Sequence, residues 1–427
     1  MKLLKKAYIV HYIQLLTFWG DSHDMLIHTR QNLNLRVESQ EVMTYLLHLK
    51  CMICEQTFNS QVVQTYCADC NAPLFAQYDL HAIEKSLDRD QIKLRRAGMW
   101  RWHELLPVED LNLIASLGEG DTPIVPLSTL GIRYRNHEIY AKDEGINPTS
   151  SFKARGLSAA VSKASELGIK NLAIPTAGNA GGALAAYASR ARLKSAVVMP
   201  SDTPPIIIQE CRLYGADVIL LDGLISDCAA VVADMTAKGE WFSVSTFREP
   251  YRLEGKKIMG YELAEQFNWL LPDVIIYPTG GGTGLIGIWK AFQELGALGW
   301  IEESHLPKMV AVQSDGCAPV VKAFQSGWDH CEYWENARTI ASGVRVPHSF
   351  ADHVILDILK RSGGTAIAVS DEEILDAQVE LSISEGIFAS PEGAATMAAW
   401  KKLLSSNFIA SDERVVLFIT ASGVKYI

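Results

Sequence analysis

The stretch NPTSSFKARG, Asn147 to Gly156, decides how the rest of the chain is read. A Pro/Thr/Ser loop opens a segment of helical period, and Lys153 stands at the junction. A lysine at a helix N-terminus faces the positive end of the dipole. That lowers the pKa of its ammonium and favours the neutral amine that an aldehyde needs for a Schiff base. Taken alone, the stretch also fits an ordinary surface lysine after a loop.

Working outward, short apolar runs alternate with longer segments of helical period. Strands are expected at Glu138–Lys142, Leu172–Pro175, Ala196–Met199, Asp217–Leu221, Val274–Tyr277, Met309–Gln313 and Val415–Thr420, with helices such as Ala154–Leu167 and Ala180–Ala191 between them. This alternation predicts an α/β fold of parallel sheets covered on both faces.

Three more loops stand at the ends of expected strands, where α/β proteins collect ligands. PTGGGTG, Pro278 to Gly284, leaves an apolar strand and opens a helix, so its backbone N–H groups can turn around a phosphate. It lacks the lysine of a nucleotide-binding P-loop and the spacing of a dinucleotide fingerprint, and by itself it fits a plain turn. PTAGNAGGALAAYA, Pro175 to Ala188, sets Asn179 between glycines at a helix start, where helix capping is the simpler role. FITASGVKY, Phe418 to Tyr426, offers the hydroxyls of Thr420 and Ser422 at the end of the last strand.

These four loops, in this order, resemble the fold-type II pyridoxal phosphate (PLP) enzymes. From residue 43 onward the chain resembles the threonine synthase family, sharing GEGDTPIVPL (Gly118–Leu127), IYAKDEGINPTSSFK (Ile139–Lys153), YRLEGKKIMGYELAEQ (Tyr251–Gln266), VSDEEI (Val369–Ile374) and EGIFASPEGAA (Glu385–Ala395). The resemblance implies a two-lobed, tryptophan synthase β-like fold. A large lobe would be made of residues 81–142 and 250–427, and a mobile small lobe of residues 143–249. It implies that Lys153 carries PLP and shuttles protons, that Thr279, Gly280, Gly281, Gly282 and Thr283 cradle its phosphate, that Asn179 meets its phenolic oxygen, and that Thr420 faces its pyridine nitrogen. Lys142, Thr176 and Arg252 would hold the phosphate of O-phosphohomoserine, a sensible set for a dianion. Structural roles stay open: Lys142 as a strand cap, Arg252 as a partner of Glu254 or Glu262.

The implied reaction converts O-phospho-L-homoserine and water to L-threonine and phosphate. The chain departs from the family where SFKA replaces SFKD at Ala154, where Ser150 takes the place of a common glycine, and where SPEGAA replaces another loop. SFKxRG also occurs in threonine and serine dehydratases, which eliminate water from substrates without a phosphate. A third reading is a non-catalytic PLP-binding protein that docks through its N-terminal module.

That module spans residues 43–80, where Cys51 and Cys54, then Cys67 and Cys70, form two C-x2-C knuckles twelve residues apart. The segment is too short to bury its own core, and four thiolates suit one structural zinc in a ribbon; two unrelated cysteine pairs, or a ribbon that has lost its metal, are the alternatives. Residues 1–42 begin with a basic, interrupted apolar run followed by a polar stretch, and are expected to be a poorly packed extension, with Met43 as the natural start. The 427 residues are 48% hydrophobic and 21% charged, and 49 acidic against 39 basic residues give a net charge of -10 without a basic run. Nucleic acid and membrane partners are not expected. The cysteine usage suits the reducing cytoplasm, and a homodimer is compatible with the sequence.

Overall fold

The computed structural model describes residues 44–223 and 225–427. The extension expected over residues 1–42 lies outside them.

Three sheets organise these residues. The N-terminal one is antiparallel, in the order β2-β1-β4-β3, with β1 at Leu46–Cys51, β2 at Thr57–Phe58, β3 at Tyr66–Cys67 and β4 at Ala72–Tyr78. A six-stranded sheet draws on β5 (Ile124–Pro126) and β6 (Ile139–Asp143), then on β11 (Val274–Pro278), β12 (Lys308–Ser314), β13 (Thr365–Val369) and β14 (Val415–Ile419). Its order is β13-β12-β11-β14-β6-β5, parallel except for the β5 edge. The intervening chain builds a separate parallel sheet, β10-β7-β8-β9, from β7 (Asn171–Pro175), β8 (Lys194–Pro200), β9 (Asp217–Leu221) and β10 (Phe242–Ser243).

All seven expected strands are present. The strands β5, β10 and β13 were not anticipated. The first two are short, with proline inside β5, and β13 is an edge strand of mixed burial. Such segments carry too little apolar pattern to separate them from loop.

The helix Tyr251–Gln266 carries six charged residues, Arg252, Glu254, Lys256, Lys257, Glu262 and Glu265, along sixteen residues. It is buried on nearly every side. Burial is tolerated because most of its charges meet opposite ones. Glu254 lies 2.8 Å from both Lys257 and Lys290, while Glu262 takes Arg155 at 2.6 Å and Lys142 at 2.9 Å.

Arg155 also binds Glu144 at 2.6 Å, so two cations and two carboxylates, all without solvent exposure, close one network. It ties the helix Lys153–Glu166 to β6 and to Tyr251–Gln266. Those two helices meet on glycine: a Cβ at Gly255 would sit 2.1 Å from the Arg155 carbonyl, and one at Gly156 would sit 2.8 Å from that of Arg252.

The antiparallel module packs on this body through aromatic groups. Tyr66 meets Phe350 edge-on at 5.8 Å, Arg248 lies over both rings, and Phe75 stacks on Phe247 at 6.1 Å. Tyr78 covers the Lys257 ammonium at 3.8 Å.

Removing one carboxylate from the four-charge network leaves buried cations unpaired. Glu262→Gln should therefore cost about 3–5 kcal/mol of stability, read as a lower urea midpoint at unchanged slope.

Candidate functional site

The four loops meet the helix of Arg252 at a cavity of about 350 Å3, lined by Lys153, Thr176, Asn179, Arg252, Gly280, Gly281, Gly282, Thr283 and Thr420 among others. The chain reaches Lys153 through Thr149 and Ser150, both left-handed at φ 60° and 53°. That backbone explains why glycine suits the Ser150 position. Here the turn is held by the Ser150 N–H on the Asn147 carbonyl and by the Ser422 N–H on the Ser150 carbonyl. Phe152 then donates to the Thr420 carbonyl, fastening the lysine loop to the end of β14.

Lys153 is the first residue of its helix. Its ammonium lies 4.0 Å from the Phe152 ring centroid and is depressed to about 7, first by burial and then by Arg252, with Glu392 opposing. A substantial fraction is neutral amine near pH 7. Desolvation, which the sequence did not reveal, therefore leads among the causes of this shift.

In the glycine turn, Gly282 takes φ +81°, left-handed backbone that glycine alone adopts at little cost, and opens the helix Thr283–Ala297. Among the described residues, no protein acceptor receives the N–H groups of Gly280, Gly281 or Gly282. Unclaimed donors at a helix start suit an anion.

Asn179 heads the helix Asn179–Arg190. Its Nδ2 donates to the Tyr426 hydroxyl at 3.1 Å, while its buried Oδ1 has no partner among the described residues. Thr176 accepts the Gly178 N–H at 3.2 Å and keeps its own O–H for the cavity.

Arg252 is paired neither with Glu254 nor with Glu262, whose oxygens are taken elsewhere. It donates through Nη1 to the Val244 carbonyl at 2.7 Å, and its buried Nε has no acceptor among the described residues.

Three expected positions fall outside the cavity lining. Lys142 is fully buried, with its ammonium spent on Glu262, Gln266 and the Thr122 carbonyl, so it is a structural counter-ion rather than a ligand for a substrate phosphate. Thr279 is buried and turns its hydroxyl onto the Tyr277 carbonyl, leaving Gly280–Thr283 as the cradle. Ser422 caps the short helix that ends in Tyr426.

Several groups at the site were not singled out from sequence. Glu392, in SPEGAA, lines the cavity with Oε1 on the Gly343 N–H at 2.6 Å and a buried Oε2 that has no partner among the described residues. Arg345, His348 and Tyr426 line it too. Lys256 lies beside it, one helical turn from Arg252, a spacing visible in the sequence once the helix is assumed.

In the antiparallel module, the thiols of Cys51, Cys54, Cys67 and Cys70 lie within 4.8 Å of one another. The Cys54 and Cys67 sulfurs are 3.8 Å apart. That equals the edge of a tetrahedron with metal–sulfur bonds of about 2.3 Å. Crowding by the other thiols pushes the Cys70 thiol up to about 12. A divalent cation would relieve that repulsion.

A buried amine of lowered pKa beside an anion cradle is what an enzyme holding an aldehyde phosphate requires. The pyridoxal-phosphate dependent enzyme family matches residues 115–421. A threonine synthase of Methanocaldococcus jannaschii is 36% identical over 377 residues, 88% of this chain and 92% of its own. One of Methanosarcina acetivorans is 35% identical over 381 residues, 89% and 92% of the two chains. The processed form of threonine deaminase isoform 2 from Solanum lycopersicum shares the fold, with a TM-score of 0.63 at 20% identity over 79% of this chain and 90% of its own. The chain belongs to the threonine synthases, within the pyridoxal-phosphate dependent enzymes.

The residues present fit that cofactor: Gly280–Thr283 for its phosphate, the Lys153 amine for its aldehyde, and the Asn179 amide N–H and the Thr420 side chain beside its ring. Because the Lys153 amine is neutral above its pKa, aldehyde uptake by the cofactor-free protein should rise with pH through about 7 and then level off. Arg252→Met removes a neighbouring positive charge and should move that midpoint upward, as followed by absorbance.

Proposed function

We propose that the chain converts O-phospho-L-homoserine and water to L-threonine and inorganic phosphate. The observation that carries this reading is Arg252, a guanidinium in the cavity without a carboxylate ion pair, in addition to the glycine turn that suits the cofactor's phosphate. A substrate that itself bears a phosphate needs that second cation. A hydroxy amino acid does not.

When bound, the cofactor supplies a conjugated ring that accepts electrons as protons leave the substrate carbons. The Lys153 Nζ would be the base for the Cα proton, and its place in the cavity lets it hold and return protons as the reaction moves along the chain to Cβ. Arg252 offers Nε to the substrate phosphate, with the Thr176 hydroxyl beside it, and stabilises the charge as the Cγ–O bond breaks. Water then adds at Cβ. Asn179 orients the substrate carboxylate and the ring oxygen. Thr420 would face the ring nitrogen with a hydroxyl rather than a carboxylate, so the chain supplies no acid there. Glu392 faces Lys153 and opposes the lowering of its pKa.

Residues 143–249, which include the separate sheet β7–β10, are read as the lobe that closes to exclude water. The eight free cysteines suit a reducing cytoplasm. The four-cysteine cluster is read as a structural zinc site, because protein thiols fill every ligand position and leave none for water.

With O-phosphohomoserine, phosphate and threonine should form in equal amounts. Arg252→Met should lower kcat/KM on this substrate by about 10- to 100-fold. Ammonia and 2-oxo acid without phosphate release from O-phosphohomoserine would establish a dehydratase instead. Metal analysis should find one zinc per chain. Cys67→Ser should lose it and lower the melting temperature, because β3 carries both Cys67 and the Tyr66 ring that meets Phe350.

A further inference from the structure

Lys256 is completely buried, and its stem lies on the helix crossing, where a Cβ at Gly156 would come within 2.9 Å of its Cε. Its ammonium sits 5.1 Å from the Phe152 ring and donates to the Thr283 hydroxyl oxygen, on the first residue of the helix that leaves the glycine turn. Lys142, Arg155, Lys257 and Lys290, buried on the same and adjoining helices and on β6, each lie within 3.0 Å of a carboxylate. Among the described residues, Lys256 has no such ion pair. Its charged neighbours are Arg252 and Lys153, with Glu249 as the acidic one. Glu249 already accepts the N–H groups of Tyr251 and Arg252.

A buried cation without a carboxylate partner is costly, and the Thr283 hydroxyl and the Phe152 ring offset only part of that cost. Burial and the two cations hold its ammonium well below the usual lysine range. A dianion at the adjoining turn would reverse the balance. The turn PTGGGTG itself has no lysine, and Lys256 is the cation that the neighbouring helix brings to it.

We propose that Lys256 is a positioning residue for the cofactor's phosphate: it supplies the positive charge the glycine turn lacks and, by donating to the Thr283 oxygen, leaves the Thr283 O–H free to bond the phosphate. This rests on the reading of the cavity as a PLP site and adds a residue to it.

The test titrates protein freed of its cofactor with PLP and with pyridoxal, which has the aldehyde but no phosphate, and follows the absorbance of the lysine adduct. Lys256→Met should weaken PLP by about 10- to 100-fold, the scale of one charge-assisted hydrogen bond, and leave pyridoxal within about twofold. The cofactor-free variant should melt no lower than wild type, since an uncompensated buried charge has gone. Lys256→Gln keeps a donor for the Thr283 oxygen but not the charge, and should also show a PLP-selective loss, which decides the matter if Lys256→Met does not fold. An equal loss for both compounds, or unchanged PLP affinity in either folded variant, overturns the inference. A wild-type protein that takes up neither compound overturns the reading of the cavity itself, whereas normal uptake with indifferent variants overturns only the role of Lys256.

Discussion

The buried contact of Arg155 with Glu144 and Glu262 is the constraint on which the rest of the site depends. Arg155 stands two residues after Lys153, so fixing its guanidinium fixes the start of the helix that presents the reactive amine. Five hydrogen bonds hold that guanidinium: one from Nε, one from Nη1 and three from Nη2, the last set including the Thr122 hydroxyl. Such a network gains little net stability over apolar packing of the same shape. What it supplies here is geometry, because a planar guanidinium satisfied on all sides tolerates little rotation.

Beside this balanced cluster lies an unbalanced one. Lys142 and Arg155 face two carboxylates, so their charges cancel within the protein. Lys153, Lys256 and Arg252 converge on the cavity with Glu249 and Glu392 for company. Burial raises the pKa of Glu249 to about 7, which weakens even that compensation. The excess positive charge is where anions belong, and two phosphates, one of the cofactor and one of the substrate, match two places where donors are unclaimed. Function is written in the difference between the two clusters.

The antiparallel module touches the same region from outside. Its Tyr66 meets Arg248 and Phe350; Arg248 lies four residues before Arg252, and Phe350 lines the cavity. Tyr251, adjacent to Arg252, donates to the Ser60 carbonyl at 3.2 Å. The module thus braces the chain leading into the helix that carries Arg252 to the cavity, which gives a small cysteine-bearing segment a mechanical connection to the site.

From sequence alone, the alternation of apolar runs and helical segments yielded the parallel sheets, and the four loops yielded the cavity, because strand ends and glycine turns are local signals. The doubled cysteine spacing likewise foretold that four thiols would converge. Sequence could not tell which cations would face the ligand. Lys142 reads in the sequence as a phosphate ligand or a strand cap and Lys256 is one charge among several, and their roles separate only because Glu262 reaches the first and, among the described residues, no carboxylate pairs with the second. Pairing between residues more than a hundred positions apart, and the desolvation that shifts Lys153, exist only once the helices cross at Gly156 and Gly255. Local pattern therefore fixed the elements and the loops, while tertiary packing chose which charges were neutralised and which were left for the substrate.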